Sequence, residues 1–145
     1  MITIVGKDNL EDFIWESHKE NKITVIYFGA IWCGPCQLLK DKLNSNEAKL
    51  EMPNLSICYI DIDEEENEEL SEQYKVKSLP LQIFIKLEGN KIVEIRKILG
   101  YDWINLLMTY NTLEEQSKKL ENTKHSEESN ESDESDKSEN SDTSE

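Results

Sequence analysis

Two of the three cysteines lie where a predicted strand passes into a predicted helix. Residues 23–28 are all β-branched or aromatic, which favours a strand buried on both faces in the middle of a sheet. Gly29 and Gly34 bracket a turn, and leucines then recur at three- and four-residue spacing, which predicts a helix from about Pro35 to beyond residue 40. The turn carries the sequence Trp-Cys-Gly-Pro-Cys at positions 32–36, so both thiols lie at the start of that helix.

The rest of the first 120 residues alternates between strand and helix patterns. Short apolar or β-branched runs predict further strands at residues 1–5, 55–62, 81–87 and 91–99. Amphipathic helices are predicted around residues 10–14, over 64–74 and from Trp103 to near Leu120. Strands that alternate with helices favour a parallel sheet, whereas the turn at Glu88-Gly89-Asn90 predicts an antiparallel hairpin at its end. The sequence therefore predicts an α/β fold with the order β-α-β-α-β-α-β-β-α.

Residues 121–145 differ from the rest of the chain in composition. They contain ten acidic residues, two lysines, seven serines and no Leu, Ile, Val, Phe, Tyr or Trp. Such a segment cannot bury enough apolar surface to offset the entropy that ordering costs, so we predict a disordered acidic tail. Its net charge of −8, taken from the chain's −15, leaves −7 on residues 1–120. Those residues hold enough apolar side chains for one compact domain.

The seven serines recur at every third residue from Ser126 to Ser144, among Asp and Glu. Two interpretations fit this period. The segment is a solvating acidic tail, or it is a multisite substrate for an acidophilic serine kinase.

Charge and hydropathy limit the partners and the compartment. A nucleic-acid-binding protein needs a basic face, and every long charged block here is acidic, so no nucleic-acid binding is expected. The longest apolar run, residues 23–30, is too short to span a bilayer, and residues 1–10 do not resemble a secretory signal. Three cysteines do not form an even set of structural disulfides. We therefore expect a soluble, cytoplasmic protein without membrane association.

The position of the cysteine pair predicts redox chemistry. Unpaired N–H groups and the helix dipole stabilise a negative sulfur at a helix start, so Cys33 is expected to have a lowered pKa and to act as nucleophile. Cysteines three residues apart across a first turn can close a disulfide with little backbone movement, and Pro35 suits that turn because its missing N–H is not needed. Cys36 is then the resolving thiol, which attacks Cys33 in a mixed disulfide and releases reduced substrate.

A zinc site is the alternative interpretation of two closely spaced cysteines. Zinc needs four ligands, and neither Cys58 nor the two histidines lie at ligand-like spacing, so no metal site is predicted. Cys58 lies in an apolar strand, where it is either an inert buried side chain or a regulatory thiol.

The motif at positions 32–36 resembles that of the thioredoxin family, and the resemblance covers about residues 1–120. Phe28 and Ala30 before the motif and Leu79-Pro80 before the hairpin match as well, and Gly100 is a weaker match. The resemblance implies the thioredoxin fold, a central mixed β-sheet flanked by helices. The alternative for Pro80 is a plain proline at a strand edge.

The same resemblance assigns roles around the cysteines. It implies that the Leu79–Pro80 bond is cis, that Pro80 packs beside the thiols, and that the Leu79 backbone is free to pair with substrate. Trp32, Gly34 and Pro35 then support the active site, and Trp32, Leu79 and Gly100 form the substrate-binding surface.

Three positions depart from the family pattern. Members commonly have a buried carboxylate six residues before the first cysteine and a lysine on the third strand, and this chain has Tyr27 and Tyr59 there. Phenols stay neutral near pH 7, so the resolving step is expected to lack a nearby base. Asp41 replaces the usual helix proline, which predicts a straighter helix.

These observations predict a thiol-disulfide oxidoreductase that reduces protein disulfides and needs no cofactor. A separate reductase, which the sequence does not identify, would return it to the dithiol form. The alternative is a binding module with the same fold, in which redox turnover is incidental; the loss of the carboxylate and the lysine favours it. A pure scaffold has no physical reason to keep both cysteines, Trp32 and Pro80, so the enzyme is the preferred hypothesis.

Overall fold

A computed structural model describes residues 2–132 of the chain. The strands are β1 (Ile2–Ile4), β2 (Ile23–Gly29), β3 (Leu55–Asp61), β4 (Leu81–Glu88) and β5 (Lys91–Leu99). The α-helices are α1 (Leu10–Lys19), α2 (Gly34–Leu43), α3 (Asn46–Glu51), α4 (Glu68–Gln73) and α5 (Trp103–Ser132), and a 3₁₀ turn covers Glu65–Asn67. The chain divides into two compact units between Asn111 and Thr112. The sheet belongs to the first unit, and the described part of the second is helix.

The five strands form one mixed sheet in the order β1-β3-β2-β4-β5. β3 pairs in parallel with both β1 and β2, while β4 pairs antiparallel with β2 and with β5. The last two strands are thus the predicted hairpin. This sheet, with its flanking helices, confirms the predicted α/β fold class.

The central strand β2 is buried on both faces, as its composition predicts. Its side chains from Val25 to Phe28 are at most 1 % exposed. Tyr27 lies opposite Tyr59 on β3 and Gln82 on β4. The central strand β2 ends at Gly29, and α2 begins at Gly34. The cysteine motif spans the turn between them and the first turn of α2, at the carboxyl end of the central strand.

Two helices differ from the sequence prediction. Helix α3 was not predicted, since its six residues are too few to show a periodic pattern. Helix α5 continues to Ser132 instead of ending near Leu120, because residues 121–132 contain no Pro or Gly to interrupt backbone hydrogen bonding. The rest of the predicted tail, residues 133–145, lies outside the described residues, and the boundary at residue 120 stays a prediction.

Within residues 2–132, none of the helices combines the length and the apolar composition that a bilayer crossing requires.

Candidate active site

Cys33 and Cys36 form a disulfide at the N-terminus of α2. Cys33 is the N-cap residue of this helix, with an extended backbone, and Pro35 lies in the first turn. The two Cα atoms are 5.2 Å apart, and the backbone N–H of Cys36 donates to Cys33 Sγ at 3.2 Å. The same N–H can stabilise a negative charge on Cys33 once the disulfide opens.

The two cysteine residues differ in burial. Cys33 is 7 % exposed and Cys36 is fully enclosed, and both pack in a small cluster with Ala30, against which Ile62 and Leu79 lie. Of the two residues, Cys33 is therefore the one with surface open to solvent.

The Leu79–Pro80 peptide bond is cis, and it precedes β4. Leu79 contacts the cysteine cluster directly. Gly100 lies beside Pro80, and its backbone N–H donates to the Pro80 carbonyl at 2.8 Å. The φ of Gly100 is +83°, a conformation that glycine adopts without strain. The structure thus brings Leu79, Pro80 and Gly100 together where β4 begins and β5 ends, and Leu79 also contacts the disulfide.

Trp32 is largely exposed, at 69 %. Its indole N–H donates to Asp63 Oδ2 at 2.7 Å, so the ring is held although it faces solvent. The sequence analysis did not identify Asp63 as a site residue. The parallel pairing of β2 and β3 was the available signal, since the carboxyl ends of neighbouring parallel strands meet at one edge of the sheet.

The rings of Tyr27 and Tyr59 are in tilted contact, at 51° to each other. Their ring centroids are 5.3 Å apart, and burial is the main cause that raises the pKa of each phenol. A β-carbon at Gly29 would lie 2.8 Å from the Tyr59 ring, so the strand and the ring are in close contact. Lys40 Nζ lies 4.3 Å from the centroid of the Tyr59 ring. The cation beside the two tyrosines therefore comes from helix α2.

Two further contacts join α2 to β2 and to the residue that follows it. The Tyr27 hydroxyl donates to the carbonyl of Cys36 at 2.6 Å, and the Gln37 side-chain amide donates to the carbonyl of Ala30 at 2.9 Å. Neither contact could be predicted from residue spacing, because each depends on how the helix packs on the sheet.

Over the residues that the structure describes, no group of three or more His, Cys, Asp or Glu side chains is arranged to hold a metal ion.

A disulfide at a helix N-terminus, with Leu79 of a cis Leu79–Pro80 bond packed against it on a mixed sheet, defines a thiol-disulfide oxidoreductase. Comparison with known proteins specifies the family. The thioredoxin family model matches residues 2–102. The chain belongs to the thioredoxin family.

Individual relatives show the extent of the similarity. A thioredoxin of Chlamydia pneumoniae is 34 % identical over 95 residues, which cover 66 % of this chain and 83 % of that protein. Thioredoxin H2-1 of Oryza sativa is 28 % identical over 113 residues, which cover 77 % and 76 % of the two chains. The solved structure of Trichomonas vaginalis thioredoxin matches with a TM-score of 0.63 and 25 % identity, and covers 78 % of this chain and 96 % of its own. The Fasciola hepatica thioredoxin structure gives a TM-score of 0.61 at 28 % identity, and covers 75 % and 96 %.

Proposed function

We propose that this oxidoreductase reduces disulfide bonds in other proteins, with Cys33 as the nucleophile and Cys36 as the resolving thiol. The observation that carries the proposal is the unequal burial of the pair: Cys33 has some exposed surface, whereas Cys36 has no exposed surface. In addition, Cys33 Sγ accepts a hydrogen bond from the Cys36 backbone N–H. Only the first sulfur can meet a large substrate, and only the second is shielded from competing reagents.

The reaction transfers two electrons to the substrate in two steps. In the dithiol form, the Cys33 thiolate attacks one substrate sulfur, so a mixed disulfide forms and the other substrate sulfur leaves as a thiolate that takes up a proton. Cys36 then loses its proton and attacks Cys33 Sγ. The bond to the substrate breaks, the second substrate sulfur leaves and is protonated, and the Cys33–Cys36 disulfide remains.

The substrate would bind across Trp32, Leu79 and Gly100. Trp32 offers a large exposed ring, and the Leu79 side chain lies against the cysteine cluster while its backbone precedes the β4 edge. An extended substrate segment can pair with that backbone and bring its disulfide to Cys33.

The test separates the two cysteines. Cys33→Ser should abolish reduction of a disulfide-bonded protein such as insulin, whereas Cys36→Ser should accumulate a mixed disulfide that mass spectrometry detects. Alkylation of the reduced wild type at pH 6 should label Cys33 first, because its thiolate is stabilised at the helix N-terminus. Equal labelling of both thiols, or full activity of Cys33→Ser, would contradict the proposal.

The same proposal includes the partners and the compartment. A separate reductase would return the disulfide to the dithiol form, and reduction of this kind suits the cytoplasm, where thiols are kept reduced. An acidophilic kinase acting on the repeated serines from Ser126 to Ser144 would add negative charge to an already acidic segment. Reduction of the purified protein in a cytoplasmic extract, and phosphate incorporation into residues 121–145, are the corresponding measurements.

A further inference from the structure

Tyr27 contacts the resolving cysteine through the backbone of Cys36 and not through either sulfur. Its side chain is fully buried on β2, and its hydroxyl donates to the Cys36 carbonyl at 2.6 Å. Since the acceptor is a backbone oxygen, the hydrogen bond does not depend on whether the disulfide is open or closed. It can therefore hold Cys36 in place during the interval in which Cys33 is bonded to substrate.

That interval is when Cys36 most needs a fixed position. Once Cys33 is bonded to a substrate, the Cys33–Cys36 disulfide is open and no longer fixes the first turn of α2. Cys36 must bring its buried Sγ to Cys33 from within a cluster of apolar side chains. A hydrogen bond from the central strand to the Cys36 backbone limits the movement of that turn, and thus keeps the reacting sulfurs at attack distance.

The Tyr27 phenol is suited to donate this bond at all pH values relevant to the reaction. Burial, with smaller contributions from Tyr59, Asp41 and Tyr101, raises its pKa, so it stays protonated in neutral and mildly alkaline solution. A carboxylate at this position would be an acceptor and could not bond to a carbonyl oxygen.

Tyr59 provides a contrast within the same structure. It is the register partner of Tyr27 on β3 and is 4 % exposed, but the polar group beside its hydroxyl is the Gln37 side chain, and among the described residues it is Tyr27 that bonds to the Cys36 carbonyl. The two phenols thus share ring type, burial and location, and differ in the contact with Cys36.

We infer that Tyr27 is a positioning residue for the resolving step, in which its phenol fixes the Cys36 backbone for attack on the mixed disulfide. The inference rests on the proposed function, because it assigns Tyr27 to the second of the two steps. It concerns the intramolecular step alone and predicts no role in the first attack by Cys33.

The experiment measures the two steps separately in the full-length protein. The reduced chain is mixed with dithiobis(nitrobenzoate), a small aromatic disulfide. The first coloured thiol reports attack by Cys33, and the second reports attack by Cys36. The first step is bimolecular, so it becomes fast at high reagent concentration. The second thiol then appears with a rate constant that does not depend on reagent concentration, and this is the rate constant of the intramolecular step.

Tyr27→Phe should slow the intramolecular step about fivefold, which is the effect expected for one lost hydrogen bond, and leave the rate constant of the first step unchanged. Tyr59→Phe is the matched control and should change neither step. Replacing Tyr27 with p-aminophenylalanine, a weaker donor, should give an intermediate rate. This graded variant also keeps the test decisive if Tyr27→Phe does not fold.

The outcomes distinguish the inference from the function on which it rests. A wild type that releases no second thiol would overturn the proposed function. A wild type with both phases, together with Tyr27 variants that match it in the second phase, would overturn the inference alone. Equal slowing by Tyr27→Phe and Tyr59→Phe would also overturn it, because loss of packing would then explain the result.

Discussion

At the scale of single residues, Cys58 differs from the catalytic pair in its surroundings. It is fully buried on β3, between β1 and β2, and its thiol donates to the Val25 carbonyl at 3.4 Å. Burial raises the pKa of this thiol, so it stays neutral and unreactive in the folded protein. These contacts favour the inert core side chain over the regulatory thiol.

Thiol titration tests this assignment of Cys58. With dithiobis(nitrobenzoate), the folded, reduced protein should lose two thiols, Cys33 by direct attack and Cys36 by attack on the mixed disulfide, and the unfolded protein should lose three. Cys58→Ala should keep the reductase rate and lower the free energy of unfolding by about 1 kcal/mol, since it removes one small apolar group from the core. A third thiol that reacts as fast as the others in native protein would show that Cys58 is accessible.

The site shows what single residues reveal before a structure exists. The cysteines, Trp32 and Leu79-Pro80 form local sequence patterns, and the sequence therefore identified them as candidates. The bonds from Tyr27 to Cys36 and from Trp32 to Asp63 join residues 9 and 31 positions apart. The first contact depends on the packing of α2 on the sheet, which has no signature in spacing, and the second on the pairing of β2 with β3.

At the scale of elements, the strands were predictable because apolar runs bounded by Gly, Pro or polar turns have few alternatives in a sheet. The short helix α3 was missed, although Ser45 before it is a typical N-cap residue. The Ser45 hydroxyl accepts from the Ala48 N–H at 3.2 Å and donates to the Lys42 carbonyl at 2.6 Å. One side chain thus ends α2 and begins α3.

Replacement of Ser45 should destabilise this junction. Ser45→Ala removes both hydrogen bonds and should lower the free energy of unfolding by about 1–2 kcal/mol, as measured by urea denaturation. Ser45→Thr keeps the hydroxyl and should cost less than half as much. If Ala and Thr have equal effects, the hydroxyl does not cap α3.

At the scale of the whole molecule, α5 contributes buried side chains near its beginning. Among its described side chains, those that are buried are Leu106, Thr109 and Tyr110. The Tyr110 hydroxyl also accepts from the Asn54 N–H at 3.0 Å. The N-terminal part of α5 therefore belongs to the folded core of the first unit.

Two truncations test how far the folded domain extends. Removal of residues 121–145 should leave the free energy of unfolding and the reductase rate nearly unchanged, since that segment has no large apolar side chain to bury. Removal of residues 103–145 should unfold the protein, because it takes away Leu106 and Tyr110. A large loss of stability in the shorter truncation, seen by thermal denaturation, would contradict the boundary at residue 120.

Alkaline pH should destabilise the whole molecule through its buried acids. Burial is the main cause that raises the pKa of Tyr27, Cys58, Tyr59 and Tyr74 above the ordinary values. The unfolded chain releases these protons at its ordinary pKa values, about 8.5 for a thiol and about 10 for a phenol, while the folded protein still holds them. The contribution to stability is therefore complete below about pH 8 and is lost as pH rises towards the folded-state pKa values.

Cys58 should account for the first part of this loss, because a thiol has the lowest unfolded pKa of the four groups. The measurement uses Cys33→Ser/Cys36→Ser protein, in which Cys58 is the remaining thiol and no disulfide exchange can occur. Its free energy of unfolding in urea should be constant from pH 7 to about pH 8 and fall above about pH 8, by up to ~1.4 kcal/mol per pH unit for each group that ionises. Adding Cys58→Ala should remove the decline between about pH 8 and pH 9.5 and leave the steeper decline near pH 10, where the unfolded phenols ionise. An equal decline with and without Cys58 would mean that its thiol ionises alike in both states, contrary to its enclosure in the sheet.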